Sequence, residues 1–267
     1  MLVSKWFVIQ ILASLLRIVD INAADDPETR ILGGYDVETY KYPWFVALKR
    51  MDIVHCGGTL ISDNFVVTAA HCFNKFLKAV ESGFMKVEDI FTPVLGAYNI
   101  CQHEDTQREF KIKAIHIHEK YQKEKHFNDI ALVELNEPAT NFEKCDLPNK
   151  AISEDERPKE VFVAGFGDLE WTTIARSMLN KQQADGKALQ NAFCAGYLSG
   201  SADTCRGDSG GPLFVVDSSG GSTLIGIISF GFQCGTPNTL GVYTDVSMFL
   251  DWLTSKIALS ESKNKVE

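Results

Sequence analysis

The sequence predicts an all-β protein closed by one C-terminal helix, on three observations. Short apolar runs at residues 43–48, 59–61, 65–68, 130–135 and 160–163 read as strands. Helical spacing marks the far end of the chain, at Val246, Phe249, Leu250, Leu253 and Ile257, with Asp245 as the N-cap. The 267 residues suit one domain, with 45% hydrophobic residues to build a sizeable core and 23% charged residues, a balance unlike that of disordered chains.

At the N-terminus, Lys5 precedes an apolar run at residues 6–16 that Arg17 and Asp20 close. The run is too short to span a bilayer, and the small residues Ala23 and Ala24 follow it, so residues 1–23 read as a secretory signal peptide. Together with seven cysteines, this points to an oxidising, extracellular compartment. A net charge of −9 makes nucleic acid and anionic membrane poor partners. Residues 24–30 are short and acidic and end in Arg30, which runs into Ile31-Leu32-Gly33-Gly34.

The chemistry gathers at Asp203-Thr204-Cys205-Arg206-Gly207-Asp208-Ser209-Gly210-Gly211-Pro212. The string has neither strand alternation nor helical period. A serine hydroxyl is a weak nucleophile until a base takes its proton, and glycine neighbours let backbone N–H groups approach a substrate carbonyl. Gly-Asp-Ser-Gly alone can be no more than a turn. The full string is more specific and resembles the nucleophile loop of the trypsin-like serine endopeptidases. That resemblance implies a histidine and then an aspartate upstream. His71 lies in Thr68-Ala69-Ala70-His71-Cys72, and Asp129 in Asn128-Asp129-Ile130-Ala131-Leu132, both similar to the family's motifs. Taken singly, a histidine after an apolar strand is more often structural, and an aspartate before one is often a turn residue. The order His71, Asp129, Ser209 is the order of this family.

The resemblance implies two packed six-stranded antiparallel β-barrels and a C-terminal helix over residues 31–258, with residues 259–267 a polar tail. It implies that Ser209 attacks the carbonyl, His71 moves the proton, Asp129 orients His71, and the N–H groups of Gly207 and Ser209 bind the oxyanion. Asp203 would sit at the base of a pocket for Arg or Lys, with Gly231 and Gly241 on its walls. The segment Ser229-Phe230-Gly231 would pair with the substrate backbone. Cleavage after Arg30 would free an ammonium on Ile31 to pair with Asp208. Disulfides would join Cys56 to Cys72 and Cys205 to Cys234. The expected activity is a secreted zymogen needing no cofactor. Its expected partners are protein or peptide substrates, an activating protease and protease inhibitors.

The chain also departs from the family. Residues 73–92 read as an insertion, partly helical, that either restricts access to the cleft or is a neutral surface loop. Ala97 replaces a carboxylate of the family's calcium loop, and His116 and His118 lack a third partner for zinc, so no metal is expected. Residues 168–191 are too few for the family's strand and cysteine-bearing helix, and Cys194 thereby loses its usual partner. A truncated strand without the later helix is the favoured reading; a substitute strand at 172–182 with a turn at Asp185-Gly186 competes with it. The pairing of Cys101, Cys145 and Cys194 stays open, with Cys101–Cys145 one candidate. The shortened segment supports an alternative function, that of a catalytically impaired homologue acting as a binding or regulatory protein.

Overall fold

The structure, a computed structural model, describes residues 37–100, 102, 104–167, 172–175, 190–201, 203–231 and 234–264. Thirteen strands form two antiparallel sheets among these residues. The first sheet takes β1 (Phe45–Arg50), β2 (Ile53–Leu60), β3 (Phe65–Thr68), β4 (Thr92–Leu95), β5 (Arg108–Glu109), β6 (Ile112–Ile117) and β7 (Ala131–Leu135), in the order β5-β4-β1-β2-β3-β7-β6. The second takes β8 (Glu160–Val163), β9 (Thr172–Ala175), β10 (Ala192–Ala195), β11 (Pro212–Val216), β12 (Ser222–Phe230) and β13 (Gly241–Asp245), in the order β10-β13-β12-β11-β8-β9. The expected all-β architecture of two antiparallel sheets is therefore present, with seven strands instead of the expected six in the first and six in the second. The seventh strand of the first sheet is the two-residue β5, which pairs Arg108 with Leu95 and Glu109 with Val94.

Local chemistry explains the connections. The β1–β2 hairpin turns on Met51 and Asp52, both at positive φ (50° and 62°), the geometry that matches the twist of the flanking strands. Crossing from one sheet to the other, Cys145 N–H donates to Leu60 C=O at 2.9 Å, while Asp146 exchanges bonds with Ser222 and Leu224 of β12. The sheets meet through aromatic edges: Phe214 of β11 lies 4.7 Å from Trp44 and 4.8 Å from Tyr42 between ring centroids. Such edge-to-face pairs add to the burial of large apolar area.

The expected C-terminal helix spans Leu250–Asn264 behind a 3₁₀ turn at Val246–Phe249. Asp245 caps that turn, accepting from Ser247 N–H at 3.2 Å and from its hydroxyl at 2.7 Å. The insertion is partly helical, at Leu77–Glu81, and is anchored where Phe73 and Phe76 meet Phe91 at 5.6 and 5.4 Å. In the loop after β4, Glu104 Oε2 accepts the N–H groups of Tyr98 and Asn99 at 2.6 and 3.1 Å.

In the shortened region, β9 runs antiparallel to β8, from Glu160 opposite Ala175 to Val163 opposite Thr172. Residues 168–171 and 176–189, including the Asp185-Gly186 turn, lie outside the described residues. Strands β9 and β10 end the second sheet on its two sides. Cys194 and Cys145 carry free, buried thiols, so Cys145 is not bridged to Cys101, which itself lies outside the described residues. Cys145 Sγ instead points at Ser222 C=O, 3.4 Å away.

Candidate active site

His71 sits on the 3₁₀ turn Ala70–Phe73 that follows β3, and Asp129 on the loop entering β7. Because β3 and β7 are adjacent, with Thr68 opposite Ala131, the two residues meet although 58 positions apart. Asp129 grips His71 twice. Oδ1 accepts the His71 backbone N–H at 2.9 Å, and Oδ2 lies 2.7 Å from ring Nδ1. This geometry places the ring proton on Nδ1 and leaves Nε2 free to accept one.

Asp129 is fully buried and tied to the second sheet as well. Thr244 Oγ1 of β13 donates to its carbonyl at 2.9 Å, and Ser229 Oγ of β12 donates to Oδ2 at 2.5 Å. The β12–β13 register shifts between Ile228 and Phe230, which re-aims Ser229. A third side chain, His126, brings Nδ1 to 3.6 Å from Oδ2. Burial disfavours the charged carboxyl, but the imidazoles of His126 and His71 and the Ser229 hydroxyl outweigh it and hold the Asp129 pKa well below the usual carboxylate range.

Ser209 lies on the loop before β11. Its carbonyl accepts Gly57 N–H of β2 at 2.8 Å and lies 3.9 Å from Cys72 Sγ. The disulfide Cys56–Cys72 flanks both contacts, so the loops of Ser209 and His71 are fastened to one covalent knot. Ser209 Oγ makes no hydrogen bond to His71 among the described residues. Gly207 has φ +97°, and a Cβ there would stand 2.8 Å from Gly167 Cα, so only glycine fits. The N–H groups of Gly207 and Ser209 have no acceptor among the described residues and remain available as donors. Between them Asp208 is fully buried, and its carboxylate accepts Gly167 N–H and Cys205 N–H at 2.8 Å each.

Near the second disulfide, Cys205–Cys234, lies Asp203, the residue expected at the base of a pocket. Asp203 accepts Thr204 N–H at 2.9 Å and Gly235 N–H at 3.0 Å. Burial raises its pKa against the lowering effect of these two bonds. A Cβ on Gly231 would come within 3.9 Å of Gly241 Cα, so these glycines are neighbours, and Tyr243 packs beneath Gly241. The expected activation residues Arg30 and Ile31 lie outside the described residues.

Sequence reasoning missed four residues of the site and one role of a fifth. The hydroxyl of Ser229 serves Asp129, where only backbone pairing with substrate was expected. Gly165 and Gly167 make room for the Asp208 carboxylate, a role that the paired glycines around Phe166 could have suggested. Thr244 anchors the Asp129 backbone with no sequence signal at all. His126 stands three residues before Asp129 and touches the same carboxylate, a spacing that was open to inspection.

The chain matches a family model described as Trypsin over residues 31–253. It is 36% identical over 247 residues to "Transmembrane protease serine 11C" of Mus musculus, covering 86% of this chain and 54% of that protein. It is 31% identical over 249 residues to "Proclotting enzyme" of Tachypleus tridentatus, covering 84% of this chain and 65% of that one. The chain spans about half the length of the mouse transmembrane protease relatives that it matches, 54%, 57% and 55% of them. Among the described residues no helix is long and apolar enough to cross a membrane.

Proposed function

The chain belongs to the trypsin family of serine proteases, and on that premise we propose that it is an endopeptidase, exported as a zymogen, that cleaves after Arg or Lys once Arg30–Ile31 is cut. The observation that carries this reading is the double grip of Asp129 on His71, with the Ser209 loop fastened to the same disulfide. A base held in one tautomer beside a serine loop supplies the elements of acyl transfer.

In this reading, His71 Nε2 takes the Ser209 proton as Oγ attacks the substrate carbonyl. Asp129 stays ionised and stabilises the imidazolium. The Gly207 and Ser209 N–H groups receive the oxyanion, and His71 returns the proton to the leaving amine. Asp203 then faces the basic side chain of the substrate. Burial raises its pKa, and a basic side chain of the substrate would compensate the buried charge. The segment Ser229-Phe230-Gly231 pairs with the substrate backbone as an added strand. Activation works through Asp208: a new Ile31 ammonium reaching its buried carboxylate would reset the Gly207–Ser209 backbone. The partners are protein substrates, an activating protease and protease inhibitors.

A second reading, an impaired homologue that binds but does not cleave, draws on the free Cys194 thiol in the shortened half. One experiment separates the two. A fluorophosphonate probe applied after cleavage at Arg30 labels Ser209 in an enzyme and leaves a pure binding protein unlabelled.

A further inference from the structure

Three potential ligand atoms converge beside the catalytic histidine of the proposed reaction. His71 Nδ1 lies 2.7 Å and His126 Nδ1 3.6 Å from the same Asp129 oxygen, and the ligand atoms of the three residues all lie within 4.8 Å of one another. The two imidazoles meet edge to face with centroids 5.5 Å apart, while Phe230 closes the other side of His126 at 5.1 Å. His126 Nδ1 is buried and has no hydrogen-bond partner within ordinary distance among the described residues. At 3.6 Å the ring nitrogen interacts with the carboxylate but stands beyond hydrogen-bond length, a gap that a shared ion would close.

We propose that His71, His126 and Asp129 form a site for a divalent transition metal ion of the zinc class, and that its occupancy switches the proposed peptidase off. The donor set suits such an ion. Imidazole nitrogen and carboxylate oxygen bind zinc at about 2.0–2.2 Å, which sets tetrahedral ligand atoms about 3.4 Å apart. The two spacings to Asp129, 2.7 and 3.6 Å, bracket that value, and all the ligand atoms lie within 4.8 Å of one another, so binding needs only small side-chain shifts. The hard cations calcium and magnesium demand more oxygen ligands than the site offers. His71 belongs to a second cluster with Cys56 and Cys72, but those sulfurs are joined in a disulfide and are not thiolates.

The inhibition follows from proton placement and rests on the peptidase reading. Without metal, Nδ1 of His71 carries the ring proton and Nε2 accepts. Metal on Nδ1 displaces that proton to solvent. The neutral ring then carries a proton on Nε2, taken from solvent, so the net exchange is zero. A ring protonated on Nε2 cannot accept the Ser209 proton, and Asp129 is diverted from His71 to the ion.

The test separates binding from catalysis. Full-length Ser209→Ala protein, cleaved at Arg30 and unable to digest itself, is titrated with zinc by calorimetry and with cobalt by visible absorbance. One site is expected, with no heat from calcium or magnesium. His126 has φ +53°, which asparagine and glycine also accept, so His126→Asn and His126→Gly are the variants of choice, checked for folding by thermal melting. Each should weaken zinc binding at least tenfold, whereas His118→Gln should not. In the serine-bearing enzyme, zinc should slow hydrolysis of an Arg amide, and a chelator should restore it, each variant being compared with its own zinc-free rate. Zinc binding of equal strength in folded His126→Asn, or none up to millimolar zinc, overturns the proposal. Zinc binding by a protein inactive even without metal would sink the peptidase reading and leave the site standing.

Discussion

The Asp208 carboxylate occupies the space that a side chain on Gly165 would need: a Cβ there would stand 2.0 Å from Oδ1. A Cβ on Gly167 would stand 2.6 Å from the same oxygen, to which Gly167 donates its N–H at 2.8 Å. The loop before Ser209 is thus moulded onto the Gly165-Phe166-Gly167 turn. Gly165→Ala would drive a methyl group into a buried, hydrogen-bonded charge. A loss of about 2–4 kcal/mol is expected from overpacking and a displaced ion. Urea unfolding of the variant beside the parent measures it, and unchanged stability would mean that Asp208 has room to move.

Ser209→Ala and His71→Ala should each abolish turnover of an Arg amide substrate by the cleaved protein, by a factor on the order of 10⁶ in kcat. The double variant should be no worse than either single, because the two groups act as one unit. Steady-state kinetics on rigorously purified proteins decides this. Retained turnover in Ser209→Ala would assign the nucleophile elsewhere.

Asp203→Ser should lose Arg and Lys substrates selectively and gain modestly on apolar ones, as seen in kcat/KM ratios across a substrate panel. The pH dependence has a definite sign. Burial raises the Asp203 pKa in the folded state, so the unfolded chain releases this proton first as pH rises. The ionised group therefore costs stability above the ordinary carboxylate range and nothing in acid, where both states are protonated. An arginine-like cation relieves that cost. The rise in melting temperature produced by an aryl amidine should fade on acidification at a pH above Asp203's ordinary value of 3.8. A shift that persists to pH 3 would place the cation away from Asp203.

Arg30→Gln should yield an intact, inactive precursor. Asp208 would keep its bonds to Gly167 and Cys205 but gain no ammonium. Fluorophosphonate labelling before and after treatment with a trypsin-like activator reads the outcome. Equal labelling of the uncleaved variant would refute the zymogen reading.

Legibility in the sequence varied with the range of the interaction. Strands such as β1 and β7 showed as local apolar runs, and the Asp245 cap and the helix after it followed from short spacings. His71, Asp129 and Ser209 stood out because each lies in a dense local motif. Thr244 did not, and Ser229 was picked out for its backbone but not for its hydroxyl, since their bonds to Asp129 span 115 and 100 positions and rest on sheet register. The two-residue β5 was invisible for the same reason, being held by its pairing with β4 alone. The free thiol of Cys194 was legible as an absence, from the missing partner cysteine.

His71 and Asp129 are borne on the first sheet, Ser209 and Ser229 on the second, and the hydrogen bonds that tie Asp129 to the second sheet are long-range: 115 positions separate it from Thr244, and 100 from Ser229. Contacts of such separation close late, after the entropy of long loops has been lost. On the proposed function, the residues of the site come together only when the two sheets have docked. In refolding, far-ultraviolet ellipticity should therefore recover ahead of probe reactivity at Ser209. If the chain is the proposed peptidase, the nascent first half carries His71 and Asp129 before the serine they would serve has been made.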